Sequence, residues 1–147
     1  MISEIVKEKT SADHLLYVSL KYTKTCDVIL NLLARWKSLI EISFDAIIQT
    51  YVDSGKIPHT PNSPKQRIEF IKMYFKKFPA VQEIVPVYVF FKRVPDLQKS
   101  REGEFRKNVN LKVTMPNNDI VNINLVKLDE YSAQVDNFIK EVKKLLQ

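Results

Sequence analysis

From Leu15 to Tyr51 an apolar or near-apolar residue recurs at every helical step: Leu15, Val18, Tyr22, Cys26, Ile29, Leu33, Trp36, Ile40, Phe44, Ile47 and Tyr51. Ten steps cover 36 residues, a mean of 3.6, which is the α-helical period. Neither glycine nor proline interrupts residues 1–54. Thr10 and Ser11 ahead of Asp13 supply a helix start, and Gly55 a stop. The pattern predicts one long helix over residues 11–54, with a break at Thr23–Thr25 as the alternative. The stripe keeps its phase across those threonines, which favours continuity. A continuous helix of that length would span about 66 Å, against roughly 38 Å for a compact sphere of this chain length. An elongated domain follows, its ends covered by later elements or by a second copy, hence an expected homodimer.

Lys56–Asn62 is a proline-punctuated connector. Ser63-Pro64-Lys65-Gln66 is a strong second start, with a capping hydroxyl, proline in the first turn and a capping-box glutamine. Ile68, Ile71, Phe75 and Phe78 fall on one face of that helix, which Pro79 ends. Residues 80–94 are apolar on all sides with Pro86 in the middle. Helix and strand both fit, and the proline favours a helix kinked or begun there. Residues 96–107 read as a charged loop or a polar turn. The period then changes to two: Val109, Leu111, Val113 and Met115, then Val121, Ile123 and Leu125, around Pro116-Asn117-Asn118-Asp119. That is a β-hairpin near 108–126 with one polar face. Asp129 would cap a last helix carrying Tyr131, Val135, Phe138, Val142 and Leu145 on one face. The expected fold class is mainly α (α+β). One domain, 1–147, packs the long helix with three shorter ones as an up-down bundle, and the hairpin lies on them.

Composition narrows the chemistry more than it identifies it. The chain has 147 residues, 45% hydrophobic and 27% charged, an ordinary globular balance. Its two glycines, Gly55 and Gly103, are too few for a P-loop or a dinucleotide fingerprint. The single cysteine, Cys26, lies on the apolar stripe and reads as core. The longest apolar run, Val85–Phe91, is far short of a membrane span, and the N-terminus lacks the apolar core of a signal peptide. A cytoplasmic protein without membrane attachment is expected. His14, His59 and Cys26 have no metal-ligand spacing, and neither histidine has a sequence-local nucleophile. Glu41 and Asp45 share a helix face and read as solvated acids. No catalytic residue, metal or cofactor is assigned.

The net charge of +6 is confined. Residues 1–54 carry six Lys/Arg against seven Asp/Glu, residues 55–110 twelve against five, and residues 111–147 five against five. A localised excess points to a polyanion, nucleic acid or an acidic protein. The candidate contacts are Lys65, Lys72, Lys76 and Lys77 in and after the second helix, then Lys92, Arg93, Arg101, Arg106 and Lys107. Tyr74, Phe70 and Phe105 are the aromatics free to stack. Asn108, Asn110, Asn122 and Asn124 line the polar face of the hairpin, where they could read bases or reflect AT-rich coding alone.

The stretch SADHLLYVSLKYTKTCDVILNLLARW, followed by shorter helices, resembles the HEPN superfamily of small α-helical domains. The likeness covers mainly residues 10–78 and 129–146. It implies a helical scaffold in a nucleic-acid context, since many members are metal-independent ribonucleases or helical partners of minimal nucleotidyltransferases. Ribonuclease members carry an arginine followed four to six residues later by a histidine. Here the nearest echo is Arg101 and Asn108, and asparagine cannot shuttle a proton as imidazole does. Three functions follow as expectations: a non-catalytic nucleic-acid-binding module, a homodimeric interaction module, and a degenerate nuclease of HEPN type.

Overall fold

Thr25 decides the architecture. Its side chain accepts a hydrogen bond from the Val28 N–H at 3.3 Å and so starts a new helix inside the apparent stripe. The computed structural model describes residues 1–147. Helix α1 (Ile2–His14) runs without interruption into a π-helical turn, Leu15–Ser19, and the short α2 (Leu20–Tyr22). The chain reverses at 23–25, and α3 (Cys26–Asp53) returns alongside, as the Arg35–Glu8 ion pair shows. The single helix over 11–54 is therefore corrected to two antiparallel ones, with the start moved from Thr10 to Ile2. Thr10 caps nothing; its hydroxyl donates to the Val6 carbonyl.

The reason the stripe misleads is visible in burial. Over α3 it holds: Cys26, Ile29, Leu33, Trp36, Ile40, Phe44 and Ile47 are all buried. Before Thr23 it fails: the buried positions are Ile5, Ala12, Leu16 and Leu20, while Val18 and Tyr22 face solvent. The wider π turn changes the angular spacing of residues 15–19, so no face read at 3.6 residues per turn can follow it. The halved helix also covers its own flank, which removes the argument for a second copy drawn from length.

The rest builds an up-down bundle around α3. Ser63 caps α4 (Pro64–Tyr74) through the Gln66 N–H, and Gln66 reaches back to the Asn62 N–H. Residues 80–94 are helical: α5 (Pro79–Arg93) starts at Pro79 and carries Pro86 on its exposed side. After a 3-10 turn, Val94–Asp96, come β1 (Gln98–Glu102), β2 (Asn110–Thr114) and β3 (Ile120–Ile123), an antiparallel sheet in the order β1-β2-β3. Asn124, not Asp129, caps α6 (Leu125–Leu146) by accepting from the Lys127 N–H at 2.9 Å. Two aromatic layers lock α3, α5 and α6. Trp36 stacks on Phe91 at 5.8 Å and meets the edge of Tyr131; Phe44 meets Tyr88 and Phe138 edge-on. These pairings set α6 parallel to α3 and α5 antiparallel to both. No helix is long and apolar enough to cross a membrane.

Strand β1 is the element that the charged loop over 96–107 left out. Gln98-Lys99-Ser100-Arg101-Glu102 has no apolar alternation, because it is an edge strand. Lys99 and Arg101 oppose Val113 and Leu111 on the inward face, the charged-edge device that discourages strand addition. Lys99 donates to the carbonyls of Val94, Pro95 and Leu97, closing the end of the α5 segment.

Candidate nucleic-acid interface

The nine cations singled out in the sequence fall into two groups. Lys65, Lys72, Lys76 and Lys77 are exposed on α4 and the turn after it. That turn is tied to the last turns of α3 by the Tyr51–Phe75 ring stack, 4.3 Å between centroids. Lys92 and Arg93 end α5, while Arg101, Arg106 and Lys107 belong to β1 and the loop that follows. Arg101 reaches Asp27 in the first turn of α3, with 2.7 Å between them. From Asp27 to Tyr51 the helix rises roughly 36 Å, so the groups sit at opposite ends of α3 and share no cleft.

The second group is built into a defined loop. Gly103 has φ +64, and a β-carbon there would lie 2.6 Å from the Asn108 carbonyl oxygen, so only glycine fits. The Arg106 N–H donates to the Gly103 carbonyl, and the Val109 N–H to the Arg106 carbonyl. Two further bonds moor the loop to the start of α3. The Phe105 N–H donates to the Lys24 carbonyl at 2.7 Å, and the Glu104 carboxylate accepts from the Cys26 N–H at 3.3 Å. A carboxylate there also suits the positive end of the helix. The Arg101 guanidinium, bonded to Asp27 and 3.8 Å from Glu104, ties the three elements together and lowers the Asp27 pKa.

This mooring decides what the loop displays. Phe105 is 75% exposed and has φ +66, a backbone conformation that a bulky residue rarely adopts. Beside its anchor at Lys24 lies the end of the first rod, where Tyr17 is 59% and Tyr22 78% exposed. Tyr22, one of the two residues that broke the stripe, thus reaches this surface. Tyr17, Lys21 and Lys24 line one shallow depression with Leu125 and Asp129 of α6. Lys21, Lys24, Arg106 and Lys107 carry no ion pair here, whereas Arg101 is committed to Asp27 and Glu104. The Lys24 ammonium donates to the Lys21 carbonyl, and the Lys21 ammonium lies 5.8 Å from the Tyr22 ring centroid. Three aromatic rings and four cations free of ion pairs therefore share one end of the bundle.

Other candidates resolve into structure. Cys26 is fully buried, and its S–H donates to the Asn110 carbonyl. Burial, then the Glu104 charge, pushes the thiol up to about 11. At pH 8 the thiolate fraction is on the order of one in a thousand. Alkylation of native protein with iodoacetamide is expected to be negligible over hours and rapid in denaturant; fast native labelling would show that the loop opens. Glu41 and Asp45 are not free acids. Glu41 accepts from the Tyr88 hydroxyl at 2.7 Å, and Asp45 pairs with Arg67 at 2.8 Å, a polar seam joining α3, α4 and α5. Burial and the Glu41 charge hold the Tyr88 hydroxyl well above its usual pKa. Of the asparagines, Asn110 bonds Asn122 across the outer sheet face, Asn124 caps α6 and Asn108 closes on Gly103. Phe70 is buried, so its ring belongs to the core. No group of three or more His, Cys, Asp or Glu side chains is arranged to hold a metal ion.

Arg106, Lys107 and Phe105 were legible in the sequence. Tyr17, Tyr22, Lys21 and Lys24 were not, because the helical stripe assigned Tyr22 to the core and the basic excess lay elsewhere. No family model matches the chain, and no curated protein or solved structure matches it either.

Proposed function

We propose that the chain is a non-catalytic nucleic-acid-binding module whose contact surface is the end formed by Tyr17–Lys24 and the 103–108 loop. The observation that carries this reading is the interleaving of exposed Tyr17, Tyr22 and Phe105 with Lys21, Lys24, Arg106 and Lys107, none of which has a carboxylate partner. Cations neutralise phosphates, and rings offer faces to bases. The HEPN-like resemblance supports the same context. The engagement of Arg101 by Asp27 and Glu104 supports a structural role for that residue, not a nucleolytic one.

Fluorescence anisotropy with a labelled mixed-sequence oligonucleotide tests the proposal. Binding should weaken as salt rises, with a log–log slope near −3 for about four single-strand phosphate contacts. Replacing Lys21, Lys24, Arg106 and Lys107 together by alanine should flatten that slope. Replacing Lys72, Lys76 and Lys77 at the far end should leave it unchanged. Absence of binding at low salt, or equal losses from both sets, sinks the proposal.

A further inference from the structure

From the shape of this surface we infer that its ligand is single-stranded nucleic acid, bound by base stacking on Phe105 and the neighbouring tyrosines. This rests on the proposed function and adds the strand state. Four cations without a carboxylate partner, with Glu102 and Asp129 nearby, form a weak electrostatic footprint. Such a surface cannot hold a duplex tightly through its phosphates alone at physiological salt. Stacking must supply the remainder, and a duplex keeps its base faces stacked on one another. Exposing one to Phe105 would require unstacking a step, whereas a single strand presents every face freely.

The loop is constructed for display. An apolar ring three-quarters exposed in a left-handed backbone conformation is costly twice over, in hydration and in backbone strain. The Phe105 N–H and the Glu104 carboxylate tie the backbone at and just before that ring to the start of α3, and the Arg106 N–H closes the loop just after it on the Gly103 carbonyl, so the backbone that carries the ring is held in place. A presented ring loses little further freedom when a base stacks on it.

Competition anisotropy with a single strand and a duplex of the same length tests the inference. We expect at least tenfold preference for the single strand. Phe105→Ala should weaken single-strand binding about tenfold and barely change duplex binding. Phe105→Trp should restore it, with an indole emission change on binding. Phe105→Gly relieves the positive φ, so it should melt no lower than wild type while losing affinity; this separates a binding ring from a structural one. Equal, salt-dependent affinity for both strand states, untouched by Phe105→Ala, overturns the inference and leaves the proposed function standing. No oligonucleotide binding at all overturns both. Tight binding to phosphatidylserine-containing vesicles that the oligonucleotide fails to displace also overturns both, in favour of a lipid surface.

Discussion

Trp36→Ala is expected to destabilise the fold by roughly 3–5 kcal/mol, the cost of truncating a large aromatic side chain in a packed core. Trp36 is 1% exposed and is the only residue whose ring touches both Phe91 of α5 and Tyr131 of α6 from α3. Its loss opens a void where three helices meet, and neither ring can fill that void without leaving the other. Urea denaturation followed by circular dichroism measures the change. A loss below about 1 kcal/mol would mean that α5 and α6 close over the gap and that this layer does not hold the bundle. Phe91→Leu should cost less, because one of the two ring contacts survives.

That layer was legible because α3 is an ordinary helix in a central position. Helix α3 keeps regular α-helical geometry from Cys26 to Ile47, so a stripe read at 3.6 residues stays on one buried face, while Leu32, Leu39 and Ile48 are buried beside it. The hairpin strands and the Ser63 cap read correctly for the same reason: each signal is local. Three things were hidden. The Thr23–Thr25 reversal leaves the stripe in phase by coincidence, and the π turn before it carries Val18 and Tyr22 off the buried face. Strand β1 has polar residues on both faces because it is an edge, and an edge strand need not alternate. The candidate surface joins residues 17–24 to 103–108, and only the fold brings those stretches together. Its aromatics look like core in one segment and like loop in the other. Local conflict between pattern and burial, at Tyr22 above all, marks such a surface, and it emerges only when burial is known.

Gly103→Ala is expected to cost roughly 2–4 kcal/mol and, with the fold still formed, to abolish the proposed contact surface. Two penalties add: an alanine at φ +64 sits in the left-handed region, and its β-carbon would lie 2.6 Å from the Asn108 carbonyl oxygen and 2.8 Å from the Asn108 side-chain oxygen. The neighbour that must yield is backbone, so the loop has to open. Opening detaches Glu104 from the Cys26 N–H and Phe105 from the Lys24 carbonyl, which frees the start of α3 and unmoors the displayed ring at once. Gly55→Ala is the matched control. It has φ +78, but no atom lies within 4 Å of the added carbon, so it should show only the backbone term, about 1–2 kcal/mol. Comparing the two variants by urea midpoint isolates the steric part. Hydrogen exchange at Cys26 and Phe105 then shows whether the amides at the start of α3 lose protection in Gly103→Ala. If the two variants lose equal stability and those amides stay protected, the loop accommodates the methyl group, and the rigid presentation of Phe105 is not what Gly103 is for.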